Sequence, residues 1–149
     1  MTAPEHVHHP PSAPDDIASL VNDFVDETPG VSHAIIVSAD GLALISSRSL
    51  AADLADSLSA MVAGLTGLCG SIAGHLDRGI YEHALLSLTH GHLLIMGISP
   101  LASMAVLTDT CADAGMVAHQ MNCLVSRTGH LLTSNARDEL RRRNGRRPA

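Results

Sequence analysis

Histidine, cysteine and arginine are the residues here that could do chemistry. The chain has ten histidines, three cysteines and nine basic residues, all of them arginine. His90-Gly91-His92 sets two imidazoles either side of one glycine, and His6, His8 and His9 cluster near the start. Imidazoles are metal ligands, but a metal site completes its set with thiolates or carboxylates on ordered elements. None stands beside His90 or His92 in sequence, and the first trio lies among prolines, where it could only scavenge an ion. Neither metal nor cofactor is expected. His33 and His83 fall at strand positions where partly buried, hydrogen-bonded imidazole is ordinary, and His75 and His119 fall on helices. Cys69, Cys111 and Cys123 are an odd number in no metal-type spacing, each in an apolar context. They read as reduced core thiols of a cytosolic protein.

Familiar catalytic groupings are missing. There is no G-x-x-x-x-G-K-[ST] loop, and no lysine to fill one, so the chain is not expected to bind nucleotide by that route. There is no G-x-G-x-x-G after a strand and no G-x-S-x-G elbow. Serine, histidine and aspartate are plentiful, but no specific arrangement of them marks a hydrolase. An enzyme is therefore not expected. Phe24 and Tyr81 are the only aromatics, which argues against a base-stacking nucleic-acid platform. No n-region and h-region pattern opens the chain, so no signal peptide is expected.

Charge divides the chain into parts. Residues 15–133 hold twelve acids and three arginines, whereas residues 134–149 hold six arginines and two acids. Residues 1–14 contain four prolines and lack apolar periodicity, so a disordered Pro/His-rich head is expected there. The basic tail over 134–149 could add a short helix or act on a polyanion, with a steep salt dependence in the second case. One domain over 15–133 lies between them, large enough for a core without disulfides.

Within that domain the hydrophobic pattern predicts the elements. Ile17, Leu20, Val21, Phe24 and Val25 follow helical spacing over Asp15–Glu27, and Pro29-Gly30 stop the helix. VSHAIIVSADGLALISS over Val31–Ser47 reads as a hairpin about Asp40-Gly41, with both turn residues at positive φ. The unbroken run Ala34–Val37 suggests a strand covered on both faces. A helix over Ala51–Leu76, strands near Ile80–Thr89 and His92–Ser99 joined at His90-Gly91, a strand over Ser103–Thr108 and a helix over Ala114–Leu132 follow. Asp113 would cap the last helix, whose inner stripe is Val117, Met121, Leu124, Thr128 and Leu131. The order α-β-β-α-β-β-β-α implies an α+β (α/β-type) fold: a single five-stranded, mostly antiparallel sheet with helices on both faces.

The second helix is unusual. From Ser57 to Gly74 it carries no charge, whereas a surface helix normally turns a charged face to water. On a helical wheel Leu54, Leu58, Met61, Val62, Leu65, Leu68, Cys69, Ile72 and Leu76 share one stripe, expected to pack on the sheet. Asp56, Ala63, Gly67, Gly70 and Gly74 collect opposite, with Ser59 and Thr66 at the edge and Gly64 on the flank. Each interior glycine costs about 1 kcal/mol relative to alanine, so the four together cost roughly 3–4 kcal/mol. Close approach of another backbone would offset this, and a second copy across a two-fold axis is the expected partner. Ala63, Thr66, Gly67, Gly70, Gly74, Tyr81 and His83 are the expected interface residues. A bulky charge at Gly67 or Gly70 is then expected to give monomers or insoluble protein. The uncharged run is at the lower limit for a membrane span, and its apolar side chains keep to one stripe, so no span is expected.

These features together resemble the Roadblock/dynein light chain domain family: the helix ending in Pro29-Gly30-Val31, the hairpin VSHAIIVSADGLALISS, the long small-residue helix, the hairpin at His90-Gly91, and Val106-Leu107-Thr108-Asp109 leading through Asp113 and Gly115 into the last helix. The resemblance covers about residues 15–133 and is greatest to the bacterial branch that accompanies Ras-like small GTPases, as in actinobacterial gene sets with a sensor-kinase-like protein. It implies a cytoplasmic, non-enzymatic homodimer in which the second helix and third strand of each copy meet, and which docks onto a small GTPase and tunes its nucleotide cycle. Arg48 and Arg78 flank the second helix and are the candidates for acting in trans on a transferring phosphate; ion pairing with Asp53 or Asp77 is the simpler role for them. The alternative function is a small-molecule or signal-sensing domain with its ligand between sheet and helix.

Overall fold

The computed structural model describes residues 14–128. Along the chain run α1 (Pro14–Glu27), β1 (Val31–Ser38), β2 (Ala43–Ser46), α2 (Ala52–Leu76), β3 (His83–Leu88), β4 (Gly91–Ser99) and β5 (Ala102–Thr108), and then α3, helical over residues 114–128. The strands form one sheet in the order β2-β1-β5-β4-β3 with every neighbouring pair antiparallel. The fold is therefore the expected α+β arrangement, three helices about a five-stranded antiparallel sheet. The expected head and basic tail fall outside the described residues, except for Pro14, which opens α1.

Side-chain alternation divides the sheet between two cores. On one face Ala34 and Ile36 of β1, Met104 and Val106 of β5, and Leu94 and Met96 of β4 meet Ile17, Val21 and Phe24 of α1 and Val117, Met121 and Leu124 of α3. On the other face Ile35, Val37, Ala105 and Ile95 meet Leu50, Ala55 and Val62. Ala34–Val37 is buried on both faces, as its unbroken apolar run implied. The two layers differ in depth, because α1 and α3 together roof one face while α2 alone lies on the other.

Two turns depart from expectation. In the β1–β2 connection Gly41 takes φ +85°, while Asp40 does not enter the positive-φ region. Gly41 N–H donates to the Ser38 carbonyl at 3.0 Å, and Ser38 N–H to the Leu42 carbonyl at 2.9 Å. That is a three-residue loop ending in a glycine bulge, in which only the last position needs left-handed backbone. The β3–β4 turn centres on Thr89-His90, because Leu88 pairs with Gly91. Gly91 itself opens β4 against the backbone carbonyl of Thr108, where a Cβ would collide. At α3, Asp113 Oδ1 accepts the Met116 N–H at 3.2 Å, which is the expected cap.

Candidate functional site

The helix α2 touches its own sheet through small residues. Its buried positions are Ala55, Ser59 and Val62, and Ser59 hides its hydroxyl by donating to the Ala55 carbonyl at 2.7 Å. Leu58, Ala63 and Leu65 are half-buried at the margins of that contact. The leucine stripe expected to pack on the sheet is instead mostly in solvent: Leu54 is 51% exposed, Met61 62%, Leu68 62%, Ile72 58% and Leu76 63%. The reason is geometric. Small side chains at 55, 59 and 62 let the helix axis approach the strands, and the larger ones are turned to its flank. That flank lies about 180° around the helix from Ala63, which approaches Gly41 in the β1–β2 turn.

Beside this stripe lies a strand with one open edge. β3 ends the sheet, pairs only with β4, and is exposed along nearly all its length. Ala84 faces the α2 core, so by alternation Leu86 and Leu88 share that face; Leu86 is 45% and Leu88 49% exposed. A contiguous apolar surface with an open row of backbone donors and acceptors marks an interaction site. By length and composition α2 could also cross a membrane, yet here it lies along one face of the sheet.

The structure distributes the expected site residues over four places. A Cβ placed at Gly64, Gly67, Gly70 or Gly74 would meet nothing within 4 Å, so within the protomer nothing offsets their helix cost. Ala63 and Thr66 are half-buried beside them, with Thr66 Oγ1 donating to the Ala63 carbonyl at 3.0 Å. Tyr81 and His83 lie apart from this face. They line a groove of about 490 Å³ on the α3 side with Met96, Gly97, Ala118 and His119, and the Tyr81 ring lies over Gly97. This groove occupies the sheet–helix position that the ligand-sensing alternative requires.

Arg48 and Arg78 are not brought together. They sit beyond opposite ends of a 25-residue helix, a span of about 37 Å. Arg48 is tied to α1: its N–H donates to Asn22 Oδ1 at 2.9 Å, and its guanidinium stands 3.8 Å from Asp26, which replaces the expected pairing with Asp53. Both side chains are more than two-thirds exposed, so the pair stabilises by less than about 1 kcal/mol. Arg48→Ala is expected to lower the thermal midpoint by less than about 5 °C in a calorimetric scan.

Two cysteines are misplaced by the sequence reading. Cys111 and Cys123 are exposed and only Cys69 is partly buried. Cys111 falls in the β5–α3 loop, and Cys123 on the outer side of α3 with its sulfur 3.8 Å from His119 Nε2. Of the strand histidines, His33 is half-buried, with Nδ1 2.8 Å from Ser49 Oγ, while His83 is exposed. Among the described residues no three His, Cys, Asp or Glu side chains gather as a metal would need.

What sequence reasoning missed is the heptad rhythm of the stripe. Residues 54, 58, 61, 65, 68 and 72 alternate steps of four and three, the spacing of a seam between two helices. The sequence reading took that rhythm for a stripe lying on the sheet.

Comparison with known proteins places this geometry. The family model described as the Roadblock/LC7 domain matches residues 17–108. A Roadblock/LC7 domain structure from Streptomyces avermitilis is 33% identical, covers 74% of this chain and 96% of its own, and superposes with a TM-score of 0.62. A second one from the same organism is 26% identical over 78% of this chain and 97% of its own, with a TM-score of 0.73. Myxococcus xanthus MglB, at 14% identity, shares the fold over 91% of this chain and 95% of its own, also with a TM-score of 0.73. No curated protein matches the sequence.

Proposed function

The chain belongs to the Roadblock/LC7 domain family, and on that premise we propose that it is a non-enzymatic, cytoplasmic homodimer that docks onto a Ras-like small GTPase and adjusts its nucleotide cycle in a bacterial signalling system. The observation that carries this reading is the uncovered apolar flank of α2 beside the exposed edge strand β3. A sheet edge and a helix flank on one side of a domain suit a partner that supplies the same two elements, and an identical copy does so by symmetry. Pairing β3 with its counterpart would satisfy the open backbone groups, and pairing the stripes would remove five large side chains from water. The sensor-kinase-like protein of such gene sets is a further candidate partner.

The regulatory half of the reading rests on family membership, and a capture experiment tests it. The full-length chain is immobilised and exposed to lysate of its native cell, with either GDP or a non-hydrolysable GTP analogue present. Retention of a small GTPase identified by mass spectrometry, with a preference for one nucleotide state, is expected. The purified GTPase should then turn over GTP at a changed rate with the chain present. If Arg78 or Arg48 acts on the phosphate, its alanine variant should lose that change while still binding. Failure to retain any GTPase in either state would discard the regulatory reading and leave the dimer untouched.

A further inference from the structure

The groove between α1 and α3 carries its charge in an unfavourable place. Its volume is about 360 Å³ and its floor is apolar, with Phe24 and Leu124 at the bottom, Leu20 half-buried and Met116 47% exposed. Asp23 and Glu27 stand on the α1 wall, both exposed. One helical turn apart, they repel each other. Both lie toward the carbonyl end of α1, whose partial charge is negative, and the last turn holds no basic residue. Arg127 lines the same groove from α3, yet among the described residues the one ion pair joins Arg48 to Asp26. A cation seated in the groove would relieve both repulsions, and an apolar neighbour beside it would cover the floor.

The chain holds such a segment itself. Residues 15–133 carry twelve acids against three arginines, and residues 134–149 reverse the balance with six arginines against two acids. Leu140 is the only large apolar residue after Leu132, and Arg137 and Arg141 stand three residues before it and one after. On a helical turn those three share a face. The helices deliver the segment to one end of the groove. Asp109 N–H donates to the Gly30 carbonyl at 2.9 Å, so α1 ends beside the approach to α3, the two helices run antiparallel, and Thr128 lies at the Leu20 end. From Leu20 to Pro29 the α1 wall is about 14 Å long. Leu140, twelve residues beyond Thr128, reaches up to about 40 Å from it in extended chain. From this complementarity we propose that segment 137–143 docks in the α1–α3 groove of its own chain, with Leu140 on the apolar floor and Arg137 and Arg141 against Asp23 and Glu27. The groove lies across the sheet from α2, so the contact does not depend on how copies associate. It also sets up a competition: an acidic partner of the arginine segment must first draw it out of the groove.

Cross-linking in the full-length chain tests the contact, with Cys123 on the groove wall as a native reporter. Cys69 and Cys111 are replaced by serine and Leu140→Cys is added. Oxidation with diamide should then close a disulfide within one protomer, in a yield unchanged by dilution, since the two Cβ atoms must come within about 3.5–4.5 Å. A tethered segment brushes many surfaces, so charge supplies the discrimination. Asp23→Arg with Glu27→Arg should slow the closure about five- to tenfold, the weight of two exposed ion pairs. Adding Arg137→Glu with Arg141→Glu should restore it. Asp23→Asn with Glu27→Gln gives the same loss of attraction should the reversal disturb α1, and added salt should slow the parent while leaving this neutral variant unmoved. With Cys69, across the sheet on α2, kept in place of Cys123, no link is expected. Equal rates in the parent and the charge-reversed chain would overturn the proposal. Links between protomers whose share grows with concentration would overturn it too, because they put the segment on a second copy.

Discussion

Leu68→Asp is expected to sediment as a monomer at micromolar concentration while keeping the circular dichroism and thermal transition of a folded domain. In the protomer Leu68 is 62% exposed, so the carboxylate stays hydrated and only helix propensity changes, by about 0.5 kcal/mol. In the proposed seam the same substitution occurs twice by symmetry. Each copy loses about 1.5–3 kcal/mol of apolar burial and sets an unpaired carboxylate among apolar side chains, at a further cost of several kcal/mol. A loss of even 4 kcal/mol in total weakens association about a thousandfold. Gly67→Asp is the informative contrast. The wheel that placed the partner on the glycine face expects monomers from it, whereas a leucine seam leaves it dimeric. A dimeric Leu68→Asp beside a monomeric Gly67→Asp would restore the first assignment.

Gly91→Ala is expected to lower stability by about 1–3 kcal/mol, in the range of overpacked buried sites. The added methyl would meet the backbone carbonyl of Thr108, and neither chain can yield easily. Gly91 pairs with Leu88 on one side, and the next residue, His92, pairs with Thr108 on the other, so displacement loosens two ladders at once. At roughly 3–5 °C per kcal/mol, between the values for 100- and 150-residue domains, the transition should fall by about 3–15 °C. Parent and variant need the same protein concentration, because the proposed association would contribute to the apparent transition. An unchanged midpoint would show that β4 can shift away from β5 at little cost.

The elements most legible in the sequence were those covered on one side only. Ile17, Val21 and Phe24 in α1, and Val117, Met121, Leu124 and Thr128 in α3, sit against the sheet as their period required, because a polar opposite face left one way for each helix to lie. Ala34–Val37 was legible for the opposite reason, since an unbroken apolar run leaves no polar face to turn to water. The seating of α2 was not legible. Its uncharged surface runs round most of the circumference, so amphipathicity could not separate the flank against its own sheet from the flank left open. A stripe of the largest side chains was assigned to the sheet; of these only Val62 is buried there, and Ala55 and Ser59 take the places of the rest. The exposed cysteines have a similar cause: Cys123 is adjacent to Leu124 in sequence but a hundred degrees from it around the helix, so an apolar neighbourhood in the chain is not one in space.

The narrow seating of α2 on Ala55, Ser59 and Val62 also bears on the newly made chain. A lone protomer carries its adhesive surface outward, where holdases and proteases recognise unburied leucine and methionine as a sign of damage. In the proposed homodimer, abundance in the cell should then follow synthesis rate more steeply than proportionally, since chains made sparsely would be cleared before they find a mate.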